Sequence, residues 1–201
     1  MGSQPDYSQP PLQASFAGFL WDMDGTIIDS TPAIVKHWHT IGNEIGVDPE
    51  TILATSHGRR SIDTLKILAP ERANWEYVAK MEGQLPVLYA DLATEIPGAR
   101  QLLDGMIKVA APWAIVTSGT EPLVHGWLGR MDLAVPEHLV TAESVPEGKP
   151  DPAVIGLVTS HTAEQVVAAE PDWVVKDLTS VRVVGSEDGK IVVEIKDGLK
   201  L

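Results

Sequence analysis

Residues 18–30 read Gly-Phe-Leu-Trp-Asp-Met-Asp-Gly-Thr-Ile-Ile-Asp-Ser. A short apolar run, Phe19-Leu20-Trp21, leads into two carboxylates, Asp22 and Asp24, at spacing i, i+2. On an extended segment that spacing puts both side chains on one face. Gly25 then allows a sharp bend and leaves backbone N–H groups free to meet an anion. Two neighbouring carboxylates repel, so a proton, a divalent cation or both must share the site. A strand that ends in paired carboxylates and opens an anion-binding turn suits magnesium-assisted phosphoryl transfer.

Outward from this stretch, the hydrophobic period changes. Residues 16–22 read as a first strand, and residues 1–14, rich in Gln, Pro and Ser, as a flexible leader. After Pro32, the residues Ile34, Val35, Trp38, Ile41 and Ile45 recur at helical spacing, and Gly46 closes that helix. Helical patterns continue through 62–68 and 77–92, with breaks at Pro70 and Pro86. Residues 32–95 therefore read as an α-helical cap inserted into a core made of 15–31 and 96–201. Beyond Pro97-Gly98 the core alternates helix 99–106, strand 114–116, helix 121–131 and strand 139–141. That alternation predicts an α/β fold with a doubly wound parallel sheet, whose ligands sit beyond the strand carboxyl ends. Asp22, Asp24 and Thr117 all fall at such ends. Further on, 154–158 and 173–175 read as strands, 163–169 as a helix, and 181–195 as a hairpin around Gly185–Gly189.

Composition narrows the partners. The chain has 201 residues, 28 acidic against 15 basic, and a net charge of −13. No basic stripe exists to neutralise a nucleic-acid backbone or an anionic membrane surface. No apolar run approaches the ~18 residues of a spanning helix. Cysteine is absent, which excludes a thiol nucleophile and fits a reducing, cytoplasmic setting. His37 and His39 lie on the first cap helix without metal-ligand spacing and read as surface or partly packed residues.

The motifs resemble a known family. Asp22-Met23-Asp24-Gly25-Thr26 is similar to the first motif of the haloacid dehalogenase superfamily phosphatases. Ala114–Thr120, an apolar strand ending in Thr117-Ser118-Gly119, resembles the second, and Gly148-Lys149-Pro150-Asp151-Pro152 the third. Ser56-His57-Gly58-Arg59-Arg60-Ser61 is similar to the fungal 2-deoxyglucose-6-phosphate and glycerol phosphatases. The resemblance implies hydrolysis of a small phosphorylated metabolite, with Asp22 as nucleophile and Asp24 as acid and then base. It implies that Thr117 and Lys149 hold the phosphoryl group while Gly25, Ser118 and Gly119 bind substrate oxygens. It also implies Mg2+ on Asp22 and Asp24, and cap residues His57 and Arg60 reaching the substrate.

One part of the family pattern is missing. Relatives place a helix, a strand carrying an acidic pair and another helix after the third motif, roughly 40 residues at ordinary element lengths. Here Pro152 is followed almost at once by Ala153-Val154-Ile155, an apparent deletion near 152–154. Two outcomes follow. Either the sheet loses a strand and exposes apolar surface, or 154–158 slides into the vacant slot. The functional alternatives are a phosphatase of sugar or polyol phosphates, a tailoring phosphatase of a larger metabolite, and a catalytically impaired remnant.

Overall fold

Two strands, not one, precede the paired carboxylates: β1 (Leu12–Phe16) and β2 (Phe19–Trp21). The computed structural model describes residues 6–56, 58–146, 155–159, 161–168 and 170–199. Leu12, Ala14 and Phe16 alternate with exposed neighbours, the period-2 signature of a half-buried strand. The leader expected over 1–14 is therefore corrected at residues 12–14, which are structured. Gln9 adds a backbone hydrogen bond to the Gly198 carbonyl at 3.1 Å.

The chain leaves the core through β3 (Ile28–Asp29) and builds α1 (Thr31–Ile45), α2 (Pro49–Ser56), α3 (Ser61–Leu68), α4 (Trp75–Gly83) and α5 (Leu85–Leu88). It returns through β4 (Thr94–Glu95), which pairs antiparallel with β3. This short ladder ties together the two crossings between cap and core. Gly46 closes α1 in the left-handed conformation, as its position predicts. The cap has its own apolar cluster, in which Trp38, Ile52, Leu65, Val78 and Met81 are buried.

The core then adds α6 (Ala99–Lys108), β5 (Trp113–Val116), α7 (Glu121–Arg130) and β6 (His138–Val140). Strands β2, β5 and β6 form a parallel sheet in that order, with Leu20, Ala114 and His138 side by side. Trp127, Met106, Ile115 and Met23 are fully buried in the cluster beneath it.

The second half of the core is built differently. β7 (Ile155–Leu157) and β8 (Trp173–Val175) form a separate parallel pair across α8 (Ala163–Val167). β9 (Val181–Glu187) and β10 (Lys190–Ile195) make the expected hairpin, and β1 joins it as a third antiparallel strand. Two observations bear on the flank of the carboxylate turn. Thr159, just past β7, donates a hydrogen bond to the Gly25 carbonyl, so this segment does reach the side of the carboxylate turn. Yet no ladder joins β7 to β2 among the described residues. Leu20, on β2, is 78% exposed, whereas strands of a doubly wound sheet are normally covered on both faces.

Candidate active site

The turn after β2 holds its carboxylates by local backbone geometry. Met23 N–H donates to Asp22 Oδ1 at 2.8 Å. The Met23 carbonyl accepts from the N–H groups of Thr26, Ile27 and Ile28, which folds the chain back under Asp24. Gly25 sits at φ 78°, a conformation that side chains with a Cβ resist, and its N–H reaches the Ile28 carbonyl at 2.8 Å. Ser30, fully buried at the start of α1, donates to Asp24 Oδ1 at 2.5 Å. The second carboxylate is thereby tied to the first residue leading into the cap. Asp29 acts as a local cap, accepting from Thr31 N–H at 3.2 Å.

The second motif arrives from the neighbouring strand. Thr117 N–H continues the β5–β6 ladder to the Val140 carbonyl, and the buried Thr117 hydroxyl accepts from Gly119 N–H at 3.1 Å. A Cβ on Gly119 would stand 2.8 Å from the Leu123 side chain and 3.8 Å from Asp24 Oδ2, so a side chain here would have to push Leu123 aside while lying in ordinary contact with the carboxylate. Ser118 faces the cap, donating to the Gly58 carbonyl at 3.1 Å. Asp22, Asp24, Gly25, Thr117, Ser118 and Gly119 all border one cavity of about 170 Å³. Lys149 and His57 lie outside the described residues.

Arg60, expected to reach the substrate, is turned elsewhere. Arg60 is 4% exposed and does not border the cavity. Its guanidinium donates to Asp63 at 2.7 Å and to the carbonyls of Ala142, Val145 and Pro146 at 3.2, 2.9 and 3.1 Å. Those bonds, and the Trp75 ring 5.9 Å away, occupy the fork that a substrate phosphate would need. The hydrogen bond from Arg60 holds the Asp63 carboxyl below its ordinary range. Arg59, the exposed neighbour, borders the cavity instead.

Sequence reasoning passed over two buried polar residues. Glu82 on α4 is 5% exposed, borders the cavity, and accepts from Ser61 Oγ at 2.5 Å and from Thr120 N–H at 2.7 Å. Burial pushes its carboxyl up, against the pull of those two hydrogen bonds. His37 on α1 is buried against Trp38 and Tyr89 and also borders the cavity; loss of solvation pushes its imidazole down to about 4. This corrects its reading as a surface or partly packed residue. Both carry one detectable signal, a titratable residue in register with an apolar stripe: Ile34–His37–Trp38–Ile41 and Val78–Met81–Glu82–Leu85. His161, beyond β7, borders the cavity too. Glu164, the acid nearest that strand in sequence, is exposed on α8 and does not.

Asp22 and Asp24 are hard oxygen donors of the kind magnesium takes. No group of three or more His, Cys, Asp or Glu residues suited to a metal ion occurs among the described residues. Among the described residues the donor set is therefore incomplete for magnesium.

The model of the haloacid dehalogenase-like hydrolases matches residues 19–175, from the strand before Asp22 to the end of β8. The chain belongs to this family. Glycerol-1-phosphate phosphohydrolase 2 of Saccharomyces cerevisiae is 38% identical over 144 residues, which take in 71% of this chain and 58% of the relative. The chain thus spans less than two thirds of that relative's length. 2-Deoxyglucose-6-phosphate phosphatase 1 of the same yeast is 28% identical across 90% of this chain and 95% of the relative. That alignment covers 234 residues, more than the chain contains, so part of it has no counterpart here. Among solved structures, a hydrolase from Pseudomonas syringae superposes with a TM-score of 0.62 at 21% identity, over 80% of this chain and 94% of that one. At that identity the likeness speaks for the haloacid dehalogenase-like fold alone. No helix among the described residues is long and apolar enough to cross a membrane.

Proposed function

We propose that the pocket hydrolyses a small phosphomonoester, a sugar or polyol phosphate, with magnesium as the cofactor expected of the family. The observation that carries this reading is the convergence of Asp22, Asp24, Thr117, Ser118 and Gly119 on one cavity beneath the cap. Its volume of about 170 Å³ lies below the ~300–1,000 Å³ of pockets for drug-sized ligands, which favours a compact metabolite over a large one. In this reading Asp22 attacks phosphorus, and the bond to the leaving oxygen breaks as Asp24 supplies that oxygen with a proton. Asp24 then takes a proton from the water that cleaves the aspartyl-phosphate. The Thr117 hydroxyl donates to a phosphoryl oxygen, and Arg59 is the cap cation that borders the same cavity. The absence of cysteine fits a cytoplasmic setting.

A catalytically impaired remnant is the second reading. The incomplete donor set and the uncovered Leu20 favour it. Magnesium-dependent phosphate release from an aryl phosphate and from small polyol phosphates, measured beside a thermal melt, separates the two. Turnover supports the phosphatase. A cooperative melt without turnover supports the remnant.

A further inference from the structure

Among the polar contacts that cross the seam between cap and core are those of Arg60 to the carbonyls of Ala142, Val145 and Pro146, Ser118 to the Gly58 carbonyl, and Glu82 to Thr120 N–H. Glu82 alone among them places a buried carboxylate at the edge of the cavity. We propose that Glu82 is a positioning residue, the anchor by which the cap docks on the first turn of α7 and holds the Thr117–Thr120 loop in one geometry. The proposal rests on the reading of that loop as the phosphoryl-binding loop.

The local chemistry requires such an anchor. Thr120 stands at the N-terminus of α7, where backbone N–H groups have no partner within the helix. Its own hydroxyl makes no capping bond to the helix. A carboxylate from another part of the chain takes over, favoured by the positive end of the helix. The next amide, Glu121 N–H, is held similarly by Glu143 at 3.0 and 3.2 Å.

Close packing sets the distance. A Cβ on Gly83 would lie 3.0 Å from Pro122, and one on Gly126 would lie 2.7 Å from Pro86. α4 and α5 therefore approach α7 where either side offers no side chain. Glu82 arrives at Thr120 from that contact, and its other oxygen is fixed by Ser61, the residue after Arg60. A buried carboxylate is stable only when its oxygens are satisfied. Lifting the cap therefore has to break the Thr120 bond, while the bond to Ser61 travels with the cap.

The chain has no cysteine, so paired spin labels at Ile67→Cys on α3 and Ile107→Cys on α6, both exposed positions, would report the cap–core distance cleanly. Pulsed electron resonance on the full chain without ligand should give one narrow distance for the parent and for Glu82→Gln, whose amide can serve both partners. Glu82→Ala should add a longer distance. Its Thr120 amide should exchange roughly tenfold faster or more, the scale of a charge-assisted hydrogen bond, while Val193 in β10 keeps its protection. Should Glu82→Ala fail to fold, Ser61→Ala, which removes one of the two bonds, should still quicken exchange at Thr120. An unchanged distance and unchanged Thr120 protection in the Ala variants overturns the proposal. So does a Glu82→Gln variant that opens as far as Glu82→Ala. Beryllofluoride binding by the parent is scored separately. Its failure would count against the phosphoryl-binding reading and leave the docking measurement standing.

Discussion

The cap and the second half of the core differ in how completely they close. The cap, α1 to α5, encloses an apolar cluster in which Ile52, Leu65 and Val78 have almost no exposure. Among the described residues the core sheet stops at β2, whose Leu20 faces solvent, and β7–β8 forms a separate pair. A local unit such as the cap can satisfy its hydrophobic periodicity from neighbouring helices. A parallel sheet depends on every crossover, since each strand borrows cover from helices elsewhere in the chain. Among the described residues the carboxylate turn is formed while its β2 flank is thin.

The largest expected effect bears on the turn itself. Asp22→Asn should abolish any turnover and any trapping of beryllofluoride with little change in melting temperature, because the turn is held by the Met23 carbonyl and Gly25. Retained turnover would remove Asp22 from the nucleophile's role. Inserting a relative's helix–strand–helix segment between Pro152 and Val154 should raise both magnesium affinity and melting temperature. No gain in either would mean that the thin flank does not come from a missing segment there.

Within the closed half, Leu65→Ala should cost about 2–5 kcal/mol in urea unfolding, the range for a large-to-small change in a packed interior. Arg60→Ala should cost roughly 2–4 kcal/mol, since three carbonyls and Asp63 lose a buried partner. Arg59→Ala should leave stability within about 0.5 kcal/mol and weaken phosphate binding instead. A reversal of these two patterns would return Arg60 to the substrate.

His37 gives the cap an acid sensitivity with a defined sign. Its folded pKa of about 4 lies below the ordinary 6.5, so between those values the unfolded chain binds more protons. Stability is full above about pH 6.5 and falls as pH drops toward 4. Between pH 7.5 and 5 the loss from this group should be roughly 2 kcal/mol. His37→Gln should show that much less acid sensitivity in unfolding experiments at the two pH values. Smallest of all, Leu20→Thr should change stability by no more than about 0.5 kcal/mol. A large loss there would mean that Leu20 is covered in solution.

The sequence by itself determined the features that depend on neighbours along the chain: the strand and turn around Asp22, the amphipathic cap helices, the β5–α7 step carrying Thr117, and the β9–β10 hairpin. Local period and turn chemistry suffice for these, because each is stabilised within a few residues of itself. The tertiary structure alone decided the rest. β1 became a strand because β10 had an edge to pair, a partner some 180 residues away. Arg60 turned from the cavity because the carbonyls of Ala142, Val145 and Pro146 lie within its reach, and Arg59 was left facing it. Glu82 entered an interior because two glycines let α4 and α5 close on α7, bringing Thr120 N–H to its carboxylate. Charge and spacing state what a side chain can bond, but which partner it meets is set by packing between elements far apart in the chain.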